Sequence, residues 1–253
     1  MPPNSAVSKQ ENVFLFIPNL IGYTRIIFAV ASLHYMPFHP RTCSLLYSIS
    51  CLLDALDGAA ARRLNQSSRF GAVLDMVTDR CTTTCLLVFL ASAFPKWGIL
   101  FQALISLDYS SHYVHMYATL AMGGNRSHKD ASDEWPWALR VYYSSSNVLF
   151  TVCTLNELCF IALYLLSFSS DLNPPLEGWS SPWGAGAMEM IRANKINRYW
   201  PQVLFCVSFP FMLYKQYVNV VQFVQASKWI AQGDLEERRR SRSSRRRRSK
   251  LLN

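Results

Sequence analysis

Six stretches of this chain read as apolar runs long enough to cross a lipid bilayer as helices, which leaves few folds open to it. They lie near residues 13–36, 41–63, 73–94, 97–120, 146–168 and 200–225. About 20 apolar residues at ~1.5 Å rise span the ~30 Å hydrocarbon layer. Within that layer unpaired backbone groups find no water, so helices are the economical solution. Composition agrees: 51% of the residues are hydrophobic and 16% charged, against roughly 25% charged in a soluble domain. The expected fold class is all-α, a polytopic six-transmembrane-helix bundle over residues 13–228. A short segment, 1–12, precedes it, and a basic segment, 229–253, follows it.

The net charge of +9 belongs to that last segment. Residues 238–250 (RRRSRSSRRRRSK) hold nine Arg or Lys and no acid, and without them sixteen basic residues face sixteen acidic ones. A nucleic-acid-binding fold usually spreads its basic residues through the domain, so no nucleic acid partner is expected. The segment reads instead as a disordered cytosolic tail beside anionic lipid heads. With the N-terminus cytosolic, Lys9, Arg62, Arg63, Arg69, Arg126, Lys129, Arg140 and the tail share one side of the membrane, as the positive-inside rule favours. The seven cysteines form no C-x-x-C pair and are expected to be small buried hydrophobes. Residues 121–145 read as a polar cytosolic loop. Residues 169–199, with Pro174-Pro175, Trp179, Pro182 and Trp183, read as an irregular lumenal one.

The chemistry concentrates in DALDGAAARRLNQSSRFGAVLDMVTD, residues 54–79. Asp54 and Asp57, three apart, share a helix face, and Gly71, Asp75 and Asp79 follow at four-residue spacing along another stripe. If one helix ends near Arg63 and the next begins near Gly71, four carboxylates converge at the cytosolic edge of the bundle. Like charges so close repel strongly. Hard divalent cations relieve that repulsion, and Mg²⁺ or Mn²⁺ commonly accompanies a diphosphate. Two such ions can bridge carboxylates and phosphate oxygens. Gly58 and Gly71 permit close approach, and Arg62 offers a fork for phosphate. Solvated helix ends, or a cation pathway lined by intramembrane carboxylates, explain the acids but not the Gly and Arg placed among them.

Asp54, Asp57, Gly58, Ala61, Arg62, Gly71, Asp75 and Asp79 match D-x2-D-G-x2-A-R-x8-G-x3-D-x3-D without a departure. By that motif the chain resembles the CDP-alcohol phosphatidyltransferase family, over roughly residues 11–168 and more weakly through the last helix. The likeness extends to the local stretches 12–26, 106–115, Ser127-His128-Lys129 and Asn156-Glu157-Leu158. The resemblance implies six transmembrane helices, a homodimer, an endoplasmic reticulum membrane, and Mg²⁺ or Mn²⁺ held by Asp54, Asp57 and Asp75, with Asp79 also in the metal-binding set. It places Asp79 near the metals as general base, and Gly58, Ala61, Arg62 and Gly71 around CDP-diacylglycerol. It implies transfer of the phosphatidyl group to a small alcohol by direct displacement, with release of CMP.

The motif leaves the alcohol open: glycerol 3-phosphate, serine, choline, ethanolamine and inositol phosphate serve other members. Asp108, His112 and His115 share a face of the fourth helix, with Asn156 and Glu157 on the fifth. Such a hydrogen-bonding wall suits neutral myo-inositol, although polar residues of this kind also bond helix to helix. Asn19 and Arg25 on the first helix are placed to meet the nucleotide or diphosphate, or to pack against neighbours. Lys215 is expected to snorkel.

Overall fold

The computed structural model describes residues 12–121, 136–169 and 194–251. Every regular element among the described residues is a helix, and none is a strand. In chain order the helices are α1 (Ile17–Tyr35), α2 (Pro40–Arg63), α3 (Arg69–Ala93), α4 (Gly98–Ala121), α5 (Trp137–Tyr142), α6 (Ser146–Ser167) and α7 (Tyr199–Leu251). They belong to two compact units. One comprises Met1–Cys85 with Ser170–Ile196, the other Leu86–Ser169 with Asn197–Asn253, and the boundary falls within α3.

In the first unit, Asn12 opens the described chain by accepting a hydrogen bond from Phe14 N, which starts a short 3-10 turn over Val13–Leu15. Pro18 stands in the first turn of α1 and Pro40 in that of α2, where a missing N–H costs nothing. The buried face of α1 is Pro18, Asn19, Gly22, Arg25, Ala29 and Ser32, and that of α2 is Pro40, Cys43, Tyr47, Ser50 and Asp57. Both sets recur every three or four residues, the period of one helix face. Small side chains among them let the two backbones approach, and Ser50 Oγ donates to Arg25 O at 3.1 Å across the contact. α2 ends on Arg62 and Arg63, a favourable charge at a helix C-terminus. The chain then turns through Asn65, whose φ of 53° is left-handed, a conformation Asn tolerates better than most residues. Ser68 Oγ accepts from Gly71 N at 2.9 Å and so caps α3.

In the second unit Phe89, fully buried, meets Tyr164 edge-on at 5.1 Å and stacks on Phe168 at 6.1 Å. A second apolar cluster joins Ala138, Leu139 and Tyr142 of α5 to Val152 and Val218. Tyr214 Oη donates to Ala138 O at 3.0 Å and ties α5 to α7. The inward stripe of α7 includes Ser208, Met212, Lys215, Asn219, Gln222 and Ala226, while Val203, Val207, Leu213 and Val220 are exposed. α1 shows the same inversion, with Asn19, Arg25 and Ser32 inside and Ile27 and Val30 outside. Polar residues inward and apolar residues outward reverse the pattern of a water-soluble helix. A lipid-facing surface has this character.

Several details differ from the sequence reading. Among the described helices α2 and α6 are by themselves long and apolar enough to cross a membrane, and α3 and α4, bent by 120° at their junction, pass together as a third. The other expected spans fall below this measure of hydropathy, because polar residues along them lower the average. Only Cys43 and Cys159 are buried, and Cys81 and Cys206 are exposed. The expected polar loop 121–145 ends in the short helix α5, while residues 122–135, with Ser127-His128-Lys129, lie outside the described residues. Residues 170–193 of the expected lumenal loop also lie outside them. Where a disordered tail is expected, α7 continues to Leu251. Extending an existing helix avoids the cost of nucleating one, and Arg and Gln are good helix formers.

Phe89→Ala is expected to lower stability in detergent by about 3 kcal/mol through the cavity it leaves. The unfolding midpoint reads this directly, and an unchanged midpoint would contradict the packing around Phe89.

Candidate active site

The four motif aspartates come from the last turns of α2 and the first turns of α3, and they meet on one side chain of α1. Arg25 is 2% exposed. Its Nη1 donates to Asp57 Oδ2 at 3.0 Å and to Asp75 Oδ1 at 2.6 Å, and lies 2.7 Å from Asp54 Oδ1. Its Nη2 donates to Asp79 Oδ1. Three helices are thus pinned at one guanidinium, whose fork suits carboxylate oxygens. Arg80, the next residue along α3, reaches Asp79 Oδ2 at 3.5 Å.

One oxygen from each of Asp54, Asp57 and Asp75 lies within 4.8 Å of the other two. Asp79 is outside that triad and joins it through Arg25. The set offers only hard oxygen donors, the kind that Mg²⁺ and Mn²⁺ take. In the contacts described, four carboxylates face two arginines, so the cluster lacks positive charge. Asp54, Asp75 and Asp79 have side chains 38%, 46% and 33% exposed, so an ion from solution can reach them. Donor chemistry, charge and access all fit a divalent cation.

Beside the triad lies an open cavity of about 150 Å³ whose walls include Asn19, Asp57, Gly58, Ala61, Gly71 and Asp75. Five of the proposed nucleotide-lipid and metal residues from two helices, and Asn19 from a third, therefore share one space. Arg62 is exposed and does not line it; its guanidinium lies over Gly58. Asn19 Nδ2 donates to Val13 O at 2.6 Å, which fixes the carboxamide and turns Oδ1 toward Gly71. A Cβ on Gly71 would stand 2.7 Å from that oxygen and 3.1 Å from Ser68 Oγ. Glycine is needed at this position for contact, not for backbone conformation.

The proposed alcohol-binding residues lie in the second unit. Asp108 is buried, its Oδ1 accepts from Asn219 Nδ2 at 3.4 Å and its backbone carbonyl lies 2.8 Å from His112 Nδ1. Lys215 donates to Asn219 Oδ1 at 2.9 Å and sits 5.1 Å from the Tyr142 ring centre. Gln216 Nε2 donates to Asn156 Oδ1 at 3.1 Å. Asp108, His112, Asn156, Lys215 and Asn219 thus form a polar network joining α4, α6 and α7. His115 lines a narrow crevice with Leu139, Tyr143, Gln222 and Trp229. The snorkelling expected of Lys215 is incorrect: at 4% exposure it is an interior residue. Its spacing of four from Asn219, on one face, is the sequence signal that would have indicated this. Arg80 was also missed, and only its adjacency to Asp79 hints at it.

Residues 15–231 match the model of the CDP-alcohol phosphatidyltransferase family, and the chain belongs to that family. At the level of individual relatives, it is 46% identical over 231 residues to the CDP-diacylglycerol–inositol 3-phosphatidyltransferase of Schizosaccharomyces pombe, covering 91% of this chain and 95% of that protein. It is 43% identical to the enzyme of that name from Rattus norvegicus, over 90% of this chain and 97% of the relative. The Saccharomyces cerevisiae enzyme of that name is 42% identical over 92% of this chain and 95% of the relative. No solved structure matches the chain.

Gly71→Ala is expected to reduce turnover about tenfold to a hundredfold by pushing α1 from α3 at Asn19. In an Asn19→Ala background the same change should cost distinctly less, because the opposing oxygen is gone. Equal costs in both backgrounds would show that the contact is not the cause.

Proposed function

We propose that this chain is a phosphatidylinositol synthase, which transfers the phosphatidyl group of CDP-diacylglycerol to myo-inositol and releases CMP. The observation that carries this reading is the meeting of Asp54, Asp57, Asp75 and Asp79 beside the cavity. It occurs in a chain that resembles enzymes of that name along nearly its full length. Mg²⁺ or Mn²⁺, in a pair held by Asp54, Asp57 and Asp75 with Asp79 adjacent, would supply charge neutralisation at the diphosphate when bound.

The remaining work falls to the chain's own residues. Gly58, Ala61 and Gly71 keep the cavity wall low enough for a nucleotide diphosphate to lie against backbone. Asn19 braces the wall from α1. Arg62, at the rim, holds phosphate charge with its fork. Asp79 accepts the proton of an inositol hydroxyl as its oxygen attacks the lipid-bearing phosphorus. The bond from that phosphorus to the CMP oxygen breaks, and CMP leaves with the electron pair. No covalent enzyme intermediate is required. General-base assistance contributes roughly 10²- to 10⁴-fold, so positioning and charge stabilisation supply the rest.

Asp108 and His112, with His115 a turn further on, are the inositol-facing residues in this reading, since six neutral hydroxyls match a wall of donors and acceptors. The inverted faces of α1 and α7 support six spans, counting α1, α2, α3, α4, α6 and α7, over a catalytic domain of residues 13–228. The basic segment 229–253 lies on the cytosolic side with the N-terminus and the site. A homodimer in the endoplasmic reticulum membrane completes the proposal, by likeness to the family.

Purified protein given CDP-diacylglycerol and separate alcohols tests the reading by CMP release. Inositol-dependent release is expected, stopped by chelating divalent ions and lowered ~10²- to 10⁴-fold in Asp79→Asn. Turnover with serine or glycerol 3-phosphate and none with inositol would overturn it. Asp108→Asn should raise KM for inositol about tenfold and leave KM for CDP-diacylglycerol unchanged. A change confined to the lipid substrate would remove α4 from the inositol site.

A further inference from the structure

We propose that Arg25 is the resident counter-cation of the metal-binding carboxylates, and that divalent ions load by displacing its guanidinium. This rests on the metal reading of the Asp54, Asp57 and Asp75 cluster given above. Metal binding is then an exchange of cations and not the filling of an open site.

Three features carry the inference. First, Arg25 Nη1 lies 2.7, 3.0 and 2.6 Å from oxygens of Asp54, Asp57 and Asp75, the same three residues that form the ligand triad. An Mg²⁺-sized ion needs such oxygens at about 2.0–2.1 Å, so nitrogen and ion cannot occupy that centre together. Second, the guanidinium is 2% exposed and cannot lose its proton. A buried fixed charge beside an incoming divalent ion repels it, and water screens that repulsion poorly. Third, Arg25 Nε is buried without a hydrogen-bond partner among the described residues. The guanidinium is therefore anchored through Nη1 on the three carboxylates an ion would take and through Nη2 on Asp79 beside them. Once the triad is taken by an ion, only the Nη2 contact with Asp79 remains, and Nε adds no bond to hold the guanidinium over the ligands.

The exchange has a reason. Four carboxylates gathered in a membrane protein without a cation would drive α2 and α3 apart. Arg25 keeps the ligands in register until metal arrives, at the expense of metal affinity.

Manganese binding to the substrate-free, full-length protein, followed by electron paramagnetic resonance, tests this with Mn²⁺ alone as probe. Arg25→Gln is expected to bind Mn²⁺ at least ~10-fold more tightly than wild type. It should also unfold at a lower temperature in chelator and gain more from added Mn²⁺. Unchanged or weaker affinity in folded Arg25→Gln would overturn the proposal. Should that variant fail to fold, wild type labelled with ¹³C-guanidino arginine decides. The infrared difference between Mn²⁺-loaded and chelated protein should contain arginine bands that Arg25→Lys lacks, and their absence would overturn the proposal. If neither wild type nor Arg25→Lys binds Mn²⁺ at all, the metal reading itself falls, and the exchange with it.

Discussion

Four carboxylates from two helices cannot share a small volume without positive charge between them, and in this chain Arg25 of α1 supplies it. Its guanidinium reaches Asp54, Asp57, Asp75 and Asp79, so the relative placement of three helices is tied to one residue. The local sequence serves that junction. Small and polar residues on α1 and α2 let the backbones close around it, Asn65 turns the chain between α2 and α3, and Gly71 leaves room for the Asn19 carboxamide. Breaking a buried ion cluster by removing one partner is far costlier than the net stabilisation of the intact cluster. The arrangement therefore fixes geometry more than it adds stability.

Each unit buries polar groups beside its apolar core and exposes large apolar side chains. In the first, the interior holds Asn19, Arg25 and Asp57. In the second it holds Asp108, Asn156, Lys215 and Asn219. Where lipid replaces water there is little hydrophobic force between helices, and packing and interhelical hydrogen bonds provide the association. Buried polar residues thus have a structural use in both units. In the first unit ligand oxygens, a cavity and a charge deficit coincide with them.

The helices were largely legible because long apolar runs have only one economical conformation in a membrane, and α2, α4 and α6 begin and end within two residues of expectation. The carboxylate register was legible too, since spacings of three and four fix a helix face without knowledge of the partner. What joins those faces was not. Arg25 is a lone cation in an apolar helix, and its partners lie 29 to 54 positions away, so local pattern offers packing and phosphate binding equally. Lys215 misled for the same reason: snorkelling is a local rule, whereas its burial follows from Asn219 and from Tyr142 on another helix. The six residues of α5 are too few to show a period, and like charges along 238–250 argue against a helix that α7 simply continues.

The central claim is that the carboxylates of α2 and α3 form a divalent metal site from which Arg25 must withdraw. A structure with Mn²⁺ and CDP-diacylglycerol, with anomalous scattering recorded at the manganese edge, tests it most directly. The account predicts manganese about 2.1 Å from oxygens of Asp54, Asp57 and Asp75, with the Arg25 guanidinium no longer between them. Manganese bound elsewhere, or those side chains directed into separate pockets, would contradict it.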